Sequence, residues 1–219
     1  MDNPAECAKK IEANEVHLGL LPVAVLFDKP DLKIISNYCI GADGPVDSVM
    51  LYSEKPIEEL EQILLDYQSR TSVQLVKILC KEHWNINPKF VHANENFISQ
   101  ISGSIGGVVI GDRTFNLNEK FNFQYDLSKE WKNLTGLPFV FACWVSQHQL
   151  NDEFIQKFNK ALEFGIVNIE NAIKYHQSKH HSFHFTHHYL TERIKYSLDD
   201  YKKRALQLFL SKLTKDNIT

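Results

Sequence analysis

An α/β fold of two lobes is predicted, and three observations predict it. Short apolar runs alternate with segments of helical spacing from Val16 to Ile110, the pattern of strands and crossover helices that builds parallel sheets. Phe139 to Val145 is the most apolar run in the chain and reads as a central strand buried on both faces. From Asn151 onward the spacing turns helical. The chain thus leaves one lobe, builds a second, and returns through a very apolar strand. The crossings are placed near Ser53–Pro56 and Thr135–Pro138, giving lobe 1 residues 1–54 and 136–219 and lobe 2 residues 55–135.

The elements follow in order. Asn3 can cap a helix with Pro4 at its first position, and Cys7, Ala8 and Ile11 form its inner face before Asn14 ends it. Val16 to Leu21 is a strand, and a short apolar helix runs from Pro22 to Phe27. A helix that feeds a strand at the chain start suggests a β-α-β unit whose first strand is missing. Lys33–Ile40 and Ser48–Ser53 are strands separated by the turn Gly41–Pro45, and Ile57–Gln62 is a short helix. Ile63–Leu65 reads as a buried strand, and Val73, Val76, Leu79, Cys80 and Trp84 mark one face of a helix. Lys89–His92 is a strand, residues 94–101 a polar helix, and Val108–Ile110 a buried strand. Asp126–Asn133 is a helix with Leu127 and Trp131 inward, broken at Thr135–Pro138. Asn151 caps a helix carrying Phe154, Ile155, Phe158, Leu162 and Ile166, and Ser197 caps the last one.

Composition narrows the function. With 219 residues, 43% of them hydrophobic, the chain can bury a proper core. A net charge of -3 without a basic cluster gives nucleic-acid binding no support. Cys7, Cys39, Cys80 and Cys143 are scattered without a CxxC pair, which fits buried thiols in a reducing compartment. No apolar segment approaches a membrane span. A soluble, cytoplasmic protein is expected.

Between Leu65 and Val73 lies a hydroxyl-rich turn, in which Ser69 or Thr71 can cap the following helix. A helix start normally prefers Asp or Glu, because its unpaired N–H groups carry partial positive charge. This one opens with Arg70 among Ser69, Thr71 and Ser72, which suits an external anion. Taken alone, a capped helix with a solvated arginine explains the same residues better. Ser48 follows the tight turn at Gly44-Pro45 and can donate to a ligand oxygen, or simply start its strand. No G-x-S-x-G elbow accompanies it, so nucleophilic catalysis has little support. Gly111 and Asp112 sit at a strand's carboxyl end, where ligands of open α/β sheets bind, though Asp112 can equally cap the next turn. What raises these signals is that Ser48, Ser69–Ser72 and Gly111–Asp112 all fall at predicted strand ends facing one cleft.

Two other features carry less. Gly103-Ser104-Ile105-Gly106-Gly107 departs from GxGxxG and precedes its strand, so it reads as a turn. Six of the ten histidines lie between His176 and His188, with His180, His184 and His188 at i, i+4, i+8. Without acidic or cysteine ligands among them, a surface tract that binds metal incidentally is the stronger reading, and no metal site is assigned.

Several blocks together resemble the chorismate dehydratases of menaquinone biosynthesis. They are Gly44-Pro45-Val46-Asp47-Ser48-Val49 through Glu59, Leu65 to Val73 with its Ser-Arg-Thr-Ser-Val core, Ile110-Gly111-Asp112, and Glu130 to Ala142. Tyr189-Leu190-Thr191 and Ile194-Lys195-Tyr196 fit as well. The resemblance implies a type II periplasmic-binding-protein-like fold put to enzymatic use. It implies conversion of chorismate to 3-[(1-carboxyvinyl)oxy]benzoate and water without a metal or organic cofactor, by a monomer or homodimer. It implies that Thr71 and Ser72 bind a carboxylate at the helix N-terminus, with Ser69, Arg70, Gly111 and Asp112 around the substrate. Ser48 would contact the substrate near the reacting carbons as the catalytic residue. Family members begin with a strand carrying a Ser-Tyr-Leu-Asn-like motif, whose Asn is a key active-site residue, and this sequence starts after it. A first lobe without its first strand is therefore expected, with about 30 residues or more absent, low or no dehydratase activity, and poor solubility from an open sheet edge.

Overall fold

A computed structural model describes residues 7, 9–11, 13–117, 119–176 and 181–213. Asn3 and Pro4, the expected start of the first helix, lie outside the described residues, as does His180. Ile11, on that helix, is buried at 2% exposure.

Two sheets organise the molecule. The first holds β1 (Gly19–Pro22), β2 (Lys33–Ala42), β8 (Phe139–Ser146) and β9 (Lys195–Ser197) in the order β1-β8-β2-β9. The second holds β3 (Val49–Ser53), β4 (Gln62–Leu65), β5 (Lys89–His92), β6 (Ile105–Ile110) and β7 (Phe123–Asp126) in the order β5-β4-β6-β3-β7. The run Phe139–Val145 takes the inner position expected of it, with β1 and β2 on its two sides.

Strand sense departs from the parallel sheets expected. Among the described residues every pairing in the first sheet is antiparallel, and in the second only β4 with β5 and β4 with β6 are parallel. An apolar run records burial on both faces and says nothing of the neighbour's direction. Parallel pairing appears where a crossover helix, α2 (Thr71–Glu82), joins β4 to β5. The chain also changes sheets earlier than expected, after Ala42 and before Val49, so β3 pairs with β6 and β7 of the second sheet. The connection falls in the Gly44–Ser48 loop, ahead of Ser53–Pro56.

Several local expectations shift for identifiable reasons. Residues 105–107 belong to β6 and are not a turn. Glycine leaves room there for side chains packed on the strand, since a Cβ at 106 would sit 2.8 Å from Leu60 Cδ1 and one at 107 would sit 2.6 Å from Ile101 Cδ1. Phe97–Gln100 is a 3₁₀ turn where a longer helix was expected, and Ile57–Glu59 is another. The strand β7 was not among the expected elements, although Phe121, Phe123 and Tyr125 alternate with polar residues at strand period. The last helix, α7 (Asp200–Lys212), is capped by Asp199, whose carboxylate accepts the Lys202 N–H, and not by Ser197.

The two sheets share one core. On α3 (Leu127–Thr135) the Trp131 ring is fully buried, donates its indole N–H to Pro138 O at 3.0 Å, and meets Phe139 and Phe209 edge-on. Such rings contribute roughly 1.5–3 kcal/mol each by burial. Helix α1 (Val25–Asp28) follows β1, and α4 (Asp152–Val167) lies against the first sheet, with Phe158 edge-on to Trp144 and Asn159 Oδ1 accepting from Ser36 Oγ at 2.7 Å. Helices α5 (Ile169–Tyr175) and α6 (Phe183–His188) then lead into a π-helical turn, Tyr189–Arg193. The cysteines at 39, 80 and 143 are buried free thiols.

Candidate active site

A cavity of about 230 Å³ opens between the two sheets. One wall is apolar and comes mainly from the first sheet: Leu20 and Pro22 of β1, Ile40 of β2, and Phe141 and Ala142 of β8. The other side carries the polar groups, Ser48, Gln68, Ser69, Arg70, Thr71, Ser72, Gly111 and Tyr189, set among the apolar Val46, Val49, Ile110 and Ile194. Six of the seven residues singled out in the sequence therefore meet in one place. Asp112 is the seventh; it sits exposed in the 3₁₀ turn Gly111–Asn116 and does not line the cavity.

The N-terminus of α2 supplies much of the polar wall. Helix starts leave N–H groups without intrahelical partners, and Ser69 Oγ accepts one of them, from Ser72, at 3.0 Å. Thr71 has a different task. Its hydroxyl donates to Phe141 O at 3.2 Å and accepts from the Ala24 N–H at 3.3 Å, tying α2 to the first sheet. That leaves Ser72, the first-turn N–H groups and Arg70 to meet a ligand. Arg70 is exposed at the rim, and among the described residues no ion pair engages it.

An Asp–Arg pair holds this turn in place. The Asp66 carboxylate, at the end of β4, accepts from the Gln68 N–H at 3.0 Å, the Ile110 N–H at 3.0 Å and the Arg113 guanidinium at 2.5 Å. It therefore joins the end of β4 to the end of β6. Neither residue was singled out in the sequence, although a carboxylate at a strand end just ahead of Ser69-Arg70 was a usable signal.

The loop that carries Ser48 is held from two sides. Asp126, the N-cap of α3, accepts from the Val46 and Asp47 N–H groups at 2.7 Å each and from the Ser128 and Lys129 N–H groups at 3.0 Å each. Burial pushes its carboxyl up, against the four N–H bonds that favour the ionised form. Asp47, at φ +62°, pairs with Arg193 at 2.5 Å. Gly111 adopts φ +71°, a conformation glycine takes without strain, and donates its N–H to Ser48 O at 2.9 Å. Ser48 itself is 7% exposed, and its Oγ lies 2.8 Å from the Tyr189 hydroxyl. Tyr189 had no role in the sequence reading beyond its place in a matched block. Its contact spans 141 residues, so no local spacing could disclose it.

The histidine tract does not assemble into a metal site among the described residues. His184 and His188 lie on α6, which begins only at Phe183.

Two sheets with a cavity between them give the fold class, a periplasmic-binding-protein-like fold. Solved structures agree. The crystal structure of an Archaeoglobus fulgidus protein superposes with a TM-score of 0.73 at 14% identity, covering 96% of this chain and 83% of that one. The aliphatic sulphonate binding protein of Escherichia coli gives 0.54 at 12%, covering 95% and 78%. A Candida albicans protein described as having the generic periplasmic binding protein fold gives 0.56 at 12%, covering 99% and 80%.

Within that class the chain belongs to the menaquinone biosynthesis family, whose sequence profile matches residues 1–215. It is 29% identical over 164 residues to the chorismate dehydratase of Thermus thermophilus, covering 67% of this chain and 60% of that protein. It is 30% identical over 122 residues to the chorismate dehydratase of Campylobacter jejuni, covering 54% and 53%. The chain thus spans between half and two thirds of the length of these relatives.

Proposed function

We propose that this protein is a chorismate dehydratase, a hydro-lyase forming 3-[(1-carboxyvinyl)oxy]benzoate and water. The observation that carries the reading is one cavity with an apolar wall on one sheet and Ser48, Ser72 and Arg70 opposite it. The curated relatives named above support the substrate. At about 230 Å³ the cavity suits a single small ring, below the roughly 300–1,000 Å³ of sites for drug-sized ligands.

The chemistry asks little of the protein. The proton on the ether-bearing ring carbon passes to a base, and its bonding pair becomes a ring double bond. The neighbouring C–O bond breaks with its pair on oxygen, which takes up one proton and leaves as water. The ring becomes aromatic, so much of the driving force lies in the substrate. The cavity lining contains no Asp, Glu or His, and the base in this proposal is the substrate's own carboxylate. Arg70 and the α2 N-terminus hold a carboxylate, the apolar wall excludes water, and Ser48 donates to the leaving hydroxyl. The two lobes act as jaws around the ligand, in a cytoplasmic monomer or homodimer. Among the described residues no helix is long and apolar enough to cross a membrane.

Incubation with chorismate tests the reading, following loss of the diene absorbance and appearance of the benzoate product. Binding without conversion points instead to a small-carboxylate-binding protein, a reading also compatible with a lining that has no side-chain base. Failure to bind chorismate removes both.

A further inference from the structure

Ser48 and Tyr189 meet hydroxyl to hydroxyl at 2.8 Å on the polar wall of the cavity. A phenol is the stronger acid of the two and a poor acceptor, and an aliphatic Oγ accepts well. Tyr189 therefore donates. Burial pushes its ionisation up, which keeps that proton in place. A serine hydroxyl has one proton, and with Oγ occupied by the tyrosine donor it must point elsewhere.

The other groups around Ser48 leave one direction open. Its carbonyl accepts the Gly111 N–H. The Asp126 carboxylate is occupied by four backbone N–H groups, and the Asp47 carboxylate is paired with Arg193. Asp112, the third carboxylate near the phenol, is exposed outside the cavity. What remains is the cavity.

The tyrosine is held where it must be. Phe115 meets its ring edge-on at 5.2 Å, and the π-helical turn that carries it also carries Arg193. Single π turns inside helical segments occur often at functional sites.

We infer that Tyr189 is a positioning residue for the dehydration, which by donating to Ser48 Oγ turns the serine proton into the cavity as a donor to the leaving hydroxyl. The inference rests on the chorismate dehydratase reading. Tyr189 exchanges no proton in this role and acts only through Ser48.

The test uses Tyr189→Phe, Ser48→Ala and the double variant of the full chain, with chorismate and with 3-[(1-carboxyvinyl)oxy]benzoate, which lacks the leaving hydroxyl. Tyr189→Phe is expected to lower kcat about 10- to 100-fold, leave KM within about threefold, and leave affinity for the product unchanged. The double variant should be no slower than Ser48→Ala, because the two residues act as a unit. Wild-type kcat in Tyr189→Phe, or additive losses in the double variant, overturns the inference while leaving the dehydratase reading standing. If the wild type binds both ligands without turnover, the same comparison is made on affinities. Tyr189→Phe should then weaken chorismate about tenfold relative to the product, and equal weakening overturns the inference. Binding of neither ligand by the wild type removes the function reading and this one with it. If Tyr189→Phe does not fold, a ring-fluorinated tyrosine at 189 takes its place. Its more acidic phenol should move the alkaline limb of the rate profile to lower pH, and an unmoved limb overturns the inference.

Discussion

Arg113 donates to Asp66 across 2.5 Å, and the carboxylate beneath it is fully buried while the guanidinium stays about a third exposed. The pair joins the ends of β4 and β6, and the turn it holds leads straight into Ser69–Ser72. Arg113 also accepts no freedom to wander: it donates to Gln68 Oε1 at 3.1 Å and lies over the Tyr67 ring at 5.6 Å.

Removing one member of such a pair strands the other. Asp66→Ala is expected to cost about 3 kcal/mol in urea unfolding, since it orphans two backbone N–H groups and a guanidinium. Ligand affinity should fall with it. A loss below about 1 kcal/mol would show that the pair behaves as a surface contact.

Thr71 and Ser72 are adjacent but differ in task. Thr71→Val keeps the volume and removes the link to Phe141 and Ala24, so stability should drop by about 1–2 kcal/mol with ligand affinity nearly unchanged. Ser72→Ala should do the reverse. Calorimetric titration beside thermal unfolding separates the two, and identical profiles would contradict the assignment.

Arg70 is exposed and makes no ion pair among the described residues, so Arg70→Gln should leave stability within about 0.5 kcal/mol. Affinity for a dicarboxylate ligand should fall about tenfold, through loss of a charge-assisted bond. The loss should shrink at high salt. An affinity independent of this residue would place the carboxylate elsewhere in the cavity.

Burial raises the phenols of Tyr52, Tyr125, Tyr189 and Tyr196, the last to about 12. The sign follows from linkage. A phenol raised in the folded state contributes stability that is complete below the unfolded value near 10 and is lost as pH rises toward the folded value. Spectrophotometric titration should therefore find four of the eight tyrosines resisting ionisation until the fold begins to fail. Eight ordinary tyrosines would contradict the packing described.

Much of the fold was legible in the sequence. The apolar run Phe139–Val145 had to lie inside a sheet, and the spacing from Val73 to Cys80 had to form a helix, because burial imposes those periods on the chain. The first-turn chemistry of Ser69–Ser72 was legible for the same local reason. Strand β7 was not, since Phe123-Gln124-Tyr125-Asp126 is a four-residue edge strand, too short for its alternation to stand out.

By itself, then, the sequence determined most of the element types, the inner strand and the hydroxyl-and-arginine turn at the start of α2, all properties of neighbouring residues. Tertiary structure decided strand direction, the early crossing ahead of β3, and the partners of the site. Thr71 became a tie between sheets because Phe141 O lies within reach of it. Ser48 acquired Tyr189 as its donor, although 141 residues separate them. Hydrogen bonds and ion pairs of this kind depend on angstrom-scale distances set only when the two sheets close on one core, and no residue pattern along the chain records them.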